Sequence, residues 1–421
     1  MRDYFTILRD HRDYRLIWGG SVINLLGDGA TWTALAWMAI TLGDAKAVGV
    51  LAICYTLPVI IGGTFVGPII DRFSRRFLLV SDSVLRAVVV ASVPLAAWAD
   101  SVHLWHLYIV AAVYGLLKIV PLGAVPAVVP DIVPKDKIHT AAALESIAFD
   151  AAQMIGPVLG GAMIAAWDAP AVLVFDALSY LLFAGCILAM KNRLPRPEHV
   201  KEGPGVLANF GWGPVFRLLR KDLVLLSITL AFALFNGAMG MMRVVQPWLA
   251  SDILEGGATT LGIILGVNNG ASLIGSILAG VIKPKDKQMR NIGLLQIVSG
   301  AALFLLFLPG LWPVLLAVAV NSLFSGPMTV SSQVIRVARI PVELRGRMMT
   351  FMRTLMNSTS PAGAALAGPM LVAGLYHPLI GLMVALAAGP GVVMALAFRN
   401  KSFTEELGLK PKTAEPAPAN A

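Results

Sequence analysis

The sequence predicts an all-α membrane protein of twelve transmembrane helices arranged as two pseudo-symmetric six-helix bundles. Three observations predict it. The chain of 421 residues is 57% hydrophobic and 14% charged, with a mean hydropathy of +0.76. A soluble domain carries about 25% charged residues, so too few are present to coat a water-facing surface. The apolar residues run continuously for about 20 positions at a time, the length that crosses a bilayer core as a helix. In lipid only helices and closed barrels satisfy their backbone groups, and unbroken apolar runs specify helices. Finally, 28 of the 33 Lys and Arg fall in residues 1–15, 72–76, 135–137, 191–221, 283–290, 336–347 and 399–412, whereas the opposite loops carry only Lys46. That alternation is the positive-inside pattern and predicts cytoplasmic termini. It also excludes nucleic acid as a partner for the formal charge of +9, because a nucleic-acid footprint clusters on one soluble surface.

Taken in order, the spans are expected near 16–42, 47–70, 77–98, 104–128, 140–167 and 170–190, then 223–250, 259–282, 291–309, 312–335, 347–374 and 378–398. Residues 1–190 are thus a first bundle and 223–399 a second. Between them, 191–222 holds four prolines and seven basic residues and reads as a cytoplasmic linker. Its end, with Trp212, Val215, Phe216, Leu218 and Leu219, is amphipathic and suited to the membrane surface. The Pro-, Ala- and Lys-rich segment 400–421 reads as a disordered tail. A shared offset of 207–208 pairs Asp28-Gly29 with Asn236-Gly237, Gly67 with Gly275, Pro134 with Pro341 and Gly160 with Gly368, as a parallel repeat would. The first apolar run is too long for a cleaved signal and lacks a small-residue cleavage site. Cys54 and Cys186 both lie in apolar runs and argue for no disulfide.

Between spans 2 and 3 stands Gly67-Pro-Ile-Ile-Asp71-Arg72-Phe73-Ser74-Arg75-Arg76. Gly67 permits close helix approach, and Asp71 can accept from a helix N-terminus or pair with an arginine. The segment resembles the G-x-x-x-D-R-x-G-R-R/K loop of the major facilitator superfamily, with Ser74 at the usual glycine. Gly27-Asp28-Gly29, Ser81-Asp82-Ser83-Val84-Leu85-Arg86, Pro130-Asp131-Ile132-Val133-Pro134, Gly156-Pro157-Val158-Leu159-Gly160-Gly161, Asp176-Ala177-Leu178-Ser179-Tyr180 and Pro341-Val342-Glu343-Leu344-Arg345-Gly346-Arg347 are similar to its macrolide-efflux and siderophore-exporter branch. The resemblance implies a twelve-helix fold working by alternating access in the bacterial cytoplasmic membrane. It also implies export coupled to proton entry, and a cytoplasmic gate built on Gly67, Asp71, Arg72, Arg75 and Arg76. Asp82 and Arg86, four apart on one helix face, are expected to pair near that gate.

The charges within spans are the candidate coupling residues, because a charge at the bilayer centre costs ~2.5–3.5 kcal/mol on insertion scales and is retained for function or pairing. Asp28 lies ~18 Å along its helix, with Asn24 one turn earlier. Lys118 in span 4 is its possible partner or an anion-binding group. Span 5 sets Asp150, Gln153 and Pro157 on one face and a small-residue packing motif of Gly156, Pro157, Gly160 and Gly161 beside it. Span 7 shows a stripe of Asn236, Gly240, Arg243 and Pro247, in which Arg243 either lines the cavity or snorkels outward. Asn321 and Ser325 in span 10 suit a cavity lining or interhelical bonding.

The expected function is a proton-coupled secondary exporter of amphipathic small molecules of the drug or siderophore class. Asp28, Asp150, Lys118 and Arg243 would carry coupling, and Asn24, Asn236, Asn321, Ser325 and Gln153 would line the cavity. Its partners would be the substrate, protons and the bilayer, and it would act as a monomer. An uptake symporter, a lysolipid flippase and a non-transporting scaffold are the alternatives. No phosphate-binding loop and no common catalytic motif is present, so neither an enzyme, a cofactor nor a metal site is expected.

Overall fold

The computed structural model describes residues 2–134, 137–192, 194, 212–281, 287–341 and 345–399. Most of the linker and the tail from 400 fall outside that set, as do the side chains of Asp71, Arg72 and Asp150 and the surroundings of Gly67. The described residues are helical and contain no strand. In the first half they form α1 (Arg2–Asp10), α2 (Arg12–Leu42), α3 (Ala45–Arg72), α4 (Arg75–Trp98), α5 (Leu104–Leu117), α6 (Ile119–Ile132), α7 (Ile138–Ala166) and α8 (Ala169–Leu188). The amphipathic α9 (Trp212–Lys221) follows. The second half comprises α10 (Leu223–Trp248), α11 (Gly257–Val281), α12 (Gln288–Ala301), α13 (Leu311–Arg339), α14 (Arg345–Asn357), α15 (Thr359–Val372) and α16 (Tyr376–Ala397). Eight helical stretches among the described residues are by themselves long and apolar enough to cross a membrane.

Three spans expected to be continuous are divided: 291–309 passes from α12 into a 3-10 helix (Ala302–Phe307), and 104–128 and 347–374 are each broken into two α-helices, these two with one physical cause. A proline supplies no N–H to the carbonyl four residues back and its ring crowds that carbonyl. Pro121 faces the carbonyl of Leu117, where α5 stops, and Pro361 faces that of Asn357, where α14 stops. Lys118 and Ser358 therefore sit at the two breaks. Elsewhere short polar side chains start helices. Asp44 accepts from the Lys46 and Ala47 amides at 2.8 and 3.1 Å, and Asp168 accepts from Ala171 at 2.8 Å. Asp222 caps α10 and also holds the Arg339 guanidinium at 2.8 Å, tying α10 to the end of α13.

Within the first half α2 packs on α7 and α8, α4 on α8, and α3 on α5; within the second, α11 packs on α13, α12 on α13 and α16, and α10 on α15 and α16. The halves meet where α7 lies along α11 and α3 along α15. The glycines of the span 5 motif serve two separate surfaces. A Cβ on Gly156 would lie 2.9 Å from the Gly29 Cα, so this residue seats α7 on α2 inside the first half. A Cβ on Gly161 would lie 2.9 Å from the Gly262 Cα, across the junction of halves. On the other flank, a Cβ on Gly368 of α15 would lie 2.7 Å from the Lys46 Cα of α3. These approaches are at the ends of α3, α7, α11 and α15 remote from both chain termini, where the two halves are held together.

Candidate functional site

Asp28 stands midway along α2 at the wall of a cavity of ≈ 350 Å³ that is mostly apolar, with Trp18, Asn24, Lys118, Glu145 and Phe149 also at its edge. Its side chain is not a lone charge. Tyr114 of α5 donates to Asp28 Oδ1 at 2.7 Å, and Tyr180 of α8 donates to the same oxygen. The Arg86 guanidinium of α4 is 3.7 Å from that oxygen. Four helices thus converge on one carboxylate oxygen. No hydrogen bond among the described residues reaches Oδ2, which leaves it available to the cavity that Asp28 lines.

Arg86 is 1% exposed, and a buried charge is tolerated only when paired and hydrogen-bonded. It donates to Tyr180 Oη at 3.1 Å, lies 3.3 Å from Asp82 Oδ2, and is stacked over the Tyr114 and Tyr180 rings at 5.5 and 5.3 Å from their centroids. The Asp82–Arg86 pair expected from i, i+4 spacing therefore forms. It lies ~16 Å along α4 at 1.5 Å per residue, in the bundle interior beside Asp28 rather than at the loop where the sequence suggested a gate. A third buried carboxylate, Asp176, accepts from Thr31 at 2.6 Å and Ser179 at 3.2 Å. Arg86 Nη2 and Asp82 Oδ1 are buried without a hydrogen-bond partner, so the network is not closed.

Lys118 lines the same cavity but points to Tyr55, donating to its hydroxyl at 3.0 Å. Trp32, Tyr55, Tyr114 and Tyr180 form a run of ring contacts, with centroids 5.2, 5.9 and 6.5 Å apart. Sequence reasoning passed over Tyr55, Tyr114 and Thr31, and met Tyr180 only as the end of the Asp176–Tyr180 motif, with no role given to it. The one available signal was Tyr114, four residues before Lys118 and so on its helix face.

In the second half Arg243 is exposed and lines a cavity of ≈ 290 Å³ walled by α10, α11 and α13, together with Asn236, Asn321 and Ser325. It faces the inside of the bundle rather than snorkelling. Asn321 is tied down, donating to the Ser299 carbonyl at 3.0 Å and to Ser299 Oγ at 3.1 Å. Asn236 donates to the Met356 carbonyl at 3.0 Å, and Ser325 to Ser322 O at 2.8 Å. The Gln153 carbonyl accepts from Asn269 at 2.6 Å, a bond between the halves. Asn24 Nδ2 is buried and unpartnered.

At the loop after α3, Ser74 accepts from the Phe77 amide at 3.3 Å and caps α4, a role for the serine found where the related loops carry glycine. Arg75 binds Asp131 at 2.6 Å and Arg76 donates to the Leu188 carbonyl, so both pin α4 within the first half. No group of three or more His, Cys, Asp or Glu suited to a metal occurs among the described residues.

Comparison with known proteins adds a family, two relatives and two solved structures. The family model described as Major Facilitator Superfamily matches residues 17–306. The multidrug efflux pump Tap of Mycobacterium tuberculosis (strain ATCC 25618 / H37Rv) is 26% identical over 414 residues, covering 94% of this chain and 95% of the relative. Macrolide efflux protein A of Streptococcus pyogenes is 20% identical over 376 residues, 87% of this chain and 89% of the relative. Among solved structures, a bacterial homologue of the iron transporter ferroportin in an inward-facing state superposes with a TM-score of 0.68 at 16% identity, covering 93% of this chain and 99% of the other. The peptide transporter POT in complex with sulfate gives 0.70 at 13%, covering 92% and 95%. At such identities these structures speak for the fold alone.

Proposed function

The chain belongs to the Major Facilitator Superfamily and is a multi-pass membrane transporter, not an enzyme, and from that premise we propose that it exports amphipathic small molecules of the drug or siderophore class in exchange for protons. The observation that carries the reading is Asp28: one carboxylate oxygen held by Tyr114, Tyr180 and Arg86 from three other helices, the other left to a largely apolar cavity. A carboxylate so placed serves proton and substrate in turn, and each occupant biases a two-state equilibrium in the opposite direction. The names of the efflux relatives support the outward direction.

In this reading the moving bodies are residues 1–190 and 223–399, joined by the 191–222 linker. Both termini lie in the cytoplasm of a bacterial cell, so the end held together by Gly161–Gly262 and Lys46–Gly368 is the outer one and the cavities open inward. Asp150 assists Asp28, and Asp71, Arg72, Arg75 and Arg76 latch the cytoplasmic side in the alternate state. The chain acts as a monomer.

The test is substrate-induced proton release from acidified inside-out vesicles, across a panel of drugs and siderophores, with wild type and Asp28→Asn at matched expression. Release in wild type that is absent in Asp28→Asn is the expected result. Release retained by the variant would remove Asp28 from coupling. A wild type silent to every compound under a held pH gradient would remove proton exchange.

A further inference from the structure

The two halves carry opposite charge in their interiors. Spans in the first half contain five carboxylates, Asp28, Asp82, Glu145, Asp150 and Asp176. Between Leu223 and Arg399 the only carboxylates are Asp252, in the last turn of its span, and Glu255, Asp286 and Glu343, which lie between spans. The second-half cavity of ≈ 290 Å³ accordingly has no carboxylate in its lining. Its cation, Arg243, is exposed to it and makes no ion pair among the described residues.

Neutral groups around Arg243 add donors. Asn268 accepts from Ser322 Oγ at 2.8 Å through its amide oxygen, which leaves its amide NH2 unengaged among the described residues. Gln246, one turn on from Met242 along α10, adds another amide to the same wall. A guanidinium is a planar fork of donors matched to carboxylate, phosphate and sulfonate oxygens. Arg243 is open to this cavity and faces no anion in its lining, so the fork is free to take a ligand's oxygens. The first-half cavity differs in holding two carboxylates, Asp28 and Glu145, beside its one cation, Lys118.

We propose that the α10–α11–α13 cavity is an anion subsite centred on Arg243, and that the exported molecules carry a carboxylate, phosphate or sulfonate group that docks there. This deepens the exporter reading and rests on it for the word exported, but binding is separable from coupling. The competing role for Arg243 is an ionic latch to a first-half carboxylate when the halves rock, which predicts no ligand-charge preference.

Equilibrium binding without any pH gradient distinguishes them. Pyrenebutyrate and its methyl ester, matched in apolar bulk and differing in charge, are titrated by fluorescence into the full-length protein in neutral-lipid nanodiscs, with empty nanodiscs subtracted. Wild type is expected to bind the acid about tenfold more tightly than the ester, the value of one charge-assisted contact. Arg243→Gln should reduce the preference to under about twofold, Arg243→Lys should retain part of it, and Arg353→Gln, which lies outside the cavity lining, should leave it intact. Equal affinity for acid and ester, no binding of either, or a preference that survives Arg243→Gln or is lost equally in Arg353→Gln would overturn the proposal. Because no proton movement is measured, a failure here leaves the vesicle result standing, and the converse also holds.

Discussion

Replacing Arg86 by Gln removes the cation that contacts both Asp28 and Asp82. The guanidinium is 1% exposed, 3.3 Å from Asp82 and 3.7 Å from Asp28, and it donates to Tyr180 at 3.1 Å. Deleting one partner of a buried pair costs about 3–5 kcal/mol, mostly because the other charge is left uncompensated in low dielectric. Here two carboxylates are left, so the upper part of that range is expected. The second-site change Asp82→Asn removes one stranded charge, and the double variant should recover about 1–3 kcal/mol relative to Arg86→Gln alone, the size of a coupling between contacting residues. The assay is urea unfolding of the purified protein in detergent micelles, followed by tryptophan fluorescence, on wild type, both single variants and the double. A cost below about 1 kcal/mol, typical of solvated pairs, would refute the buried network. So would a double variant no more stable than Arg86→Gln.

Other expectations can be checked more quickly. Tyr180→Phe deletes one donor to Asp28 and one acceptor of Arg86, and should cost about 1.5–3 kcal/mol in the same unfolding assay, hydrogen bonds to charged groups being worth that much. Ser74→Gly should cost only a few tenths of a kcal/mol and leave vesicle transport intact, because glycine is itself a tolerated cap. Gly161→Leu pushes a side chain into the Gly262 backbone and should abolish turnover while the protein still elutes as a folded species by size exclusion. In a background with Cys54 and Cys186 changed to Ser, Lys46→Cys with Gly368→Cys should form a disulfide under mild oxidation. Transport should then stop and return on reduction, whereas unaffected transport by a cross-linked protein would count against separation of the halves at that end.

Membrane class and span order were legible in the sequence because the bilayer imposes a local rule: each stretch must be apolar and must satisfy its own backbone. The repeat offset predicts two halves, and Asp28 and Arg243 stood out because a charge in a span is costly. The breaks at Lys118 and Ser358 were not readable, because Pro94, Pro157, Pro327 and Pro390 sit inside helices that stay continuous and hydropathy ran straight across both breaks. What surrounds each charge was not readable. Which helix faces α2, and at what rotation, is set by close packing at Gly29 on Gly156 and by long-range pairing, so Tyr114 and Tyr180, ordinary residues in an apolar run, acquire their role only when four helices meet. The same spatial convergence drew Arg86 inward to Asp28, turned Lys118 toward Tyr55, and split the Gly156–Gly161 motif between an intra-half seam and the junction of halves. Local chemistry determined which residues had to be explained, and tertiary packing decided what each of them touches, because contact across 86 or 152 residues depends on helix orientation that no local pattern encodes.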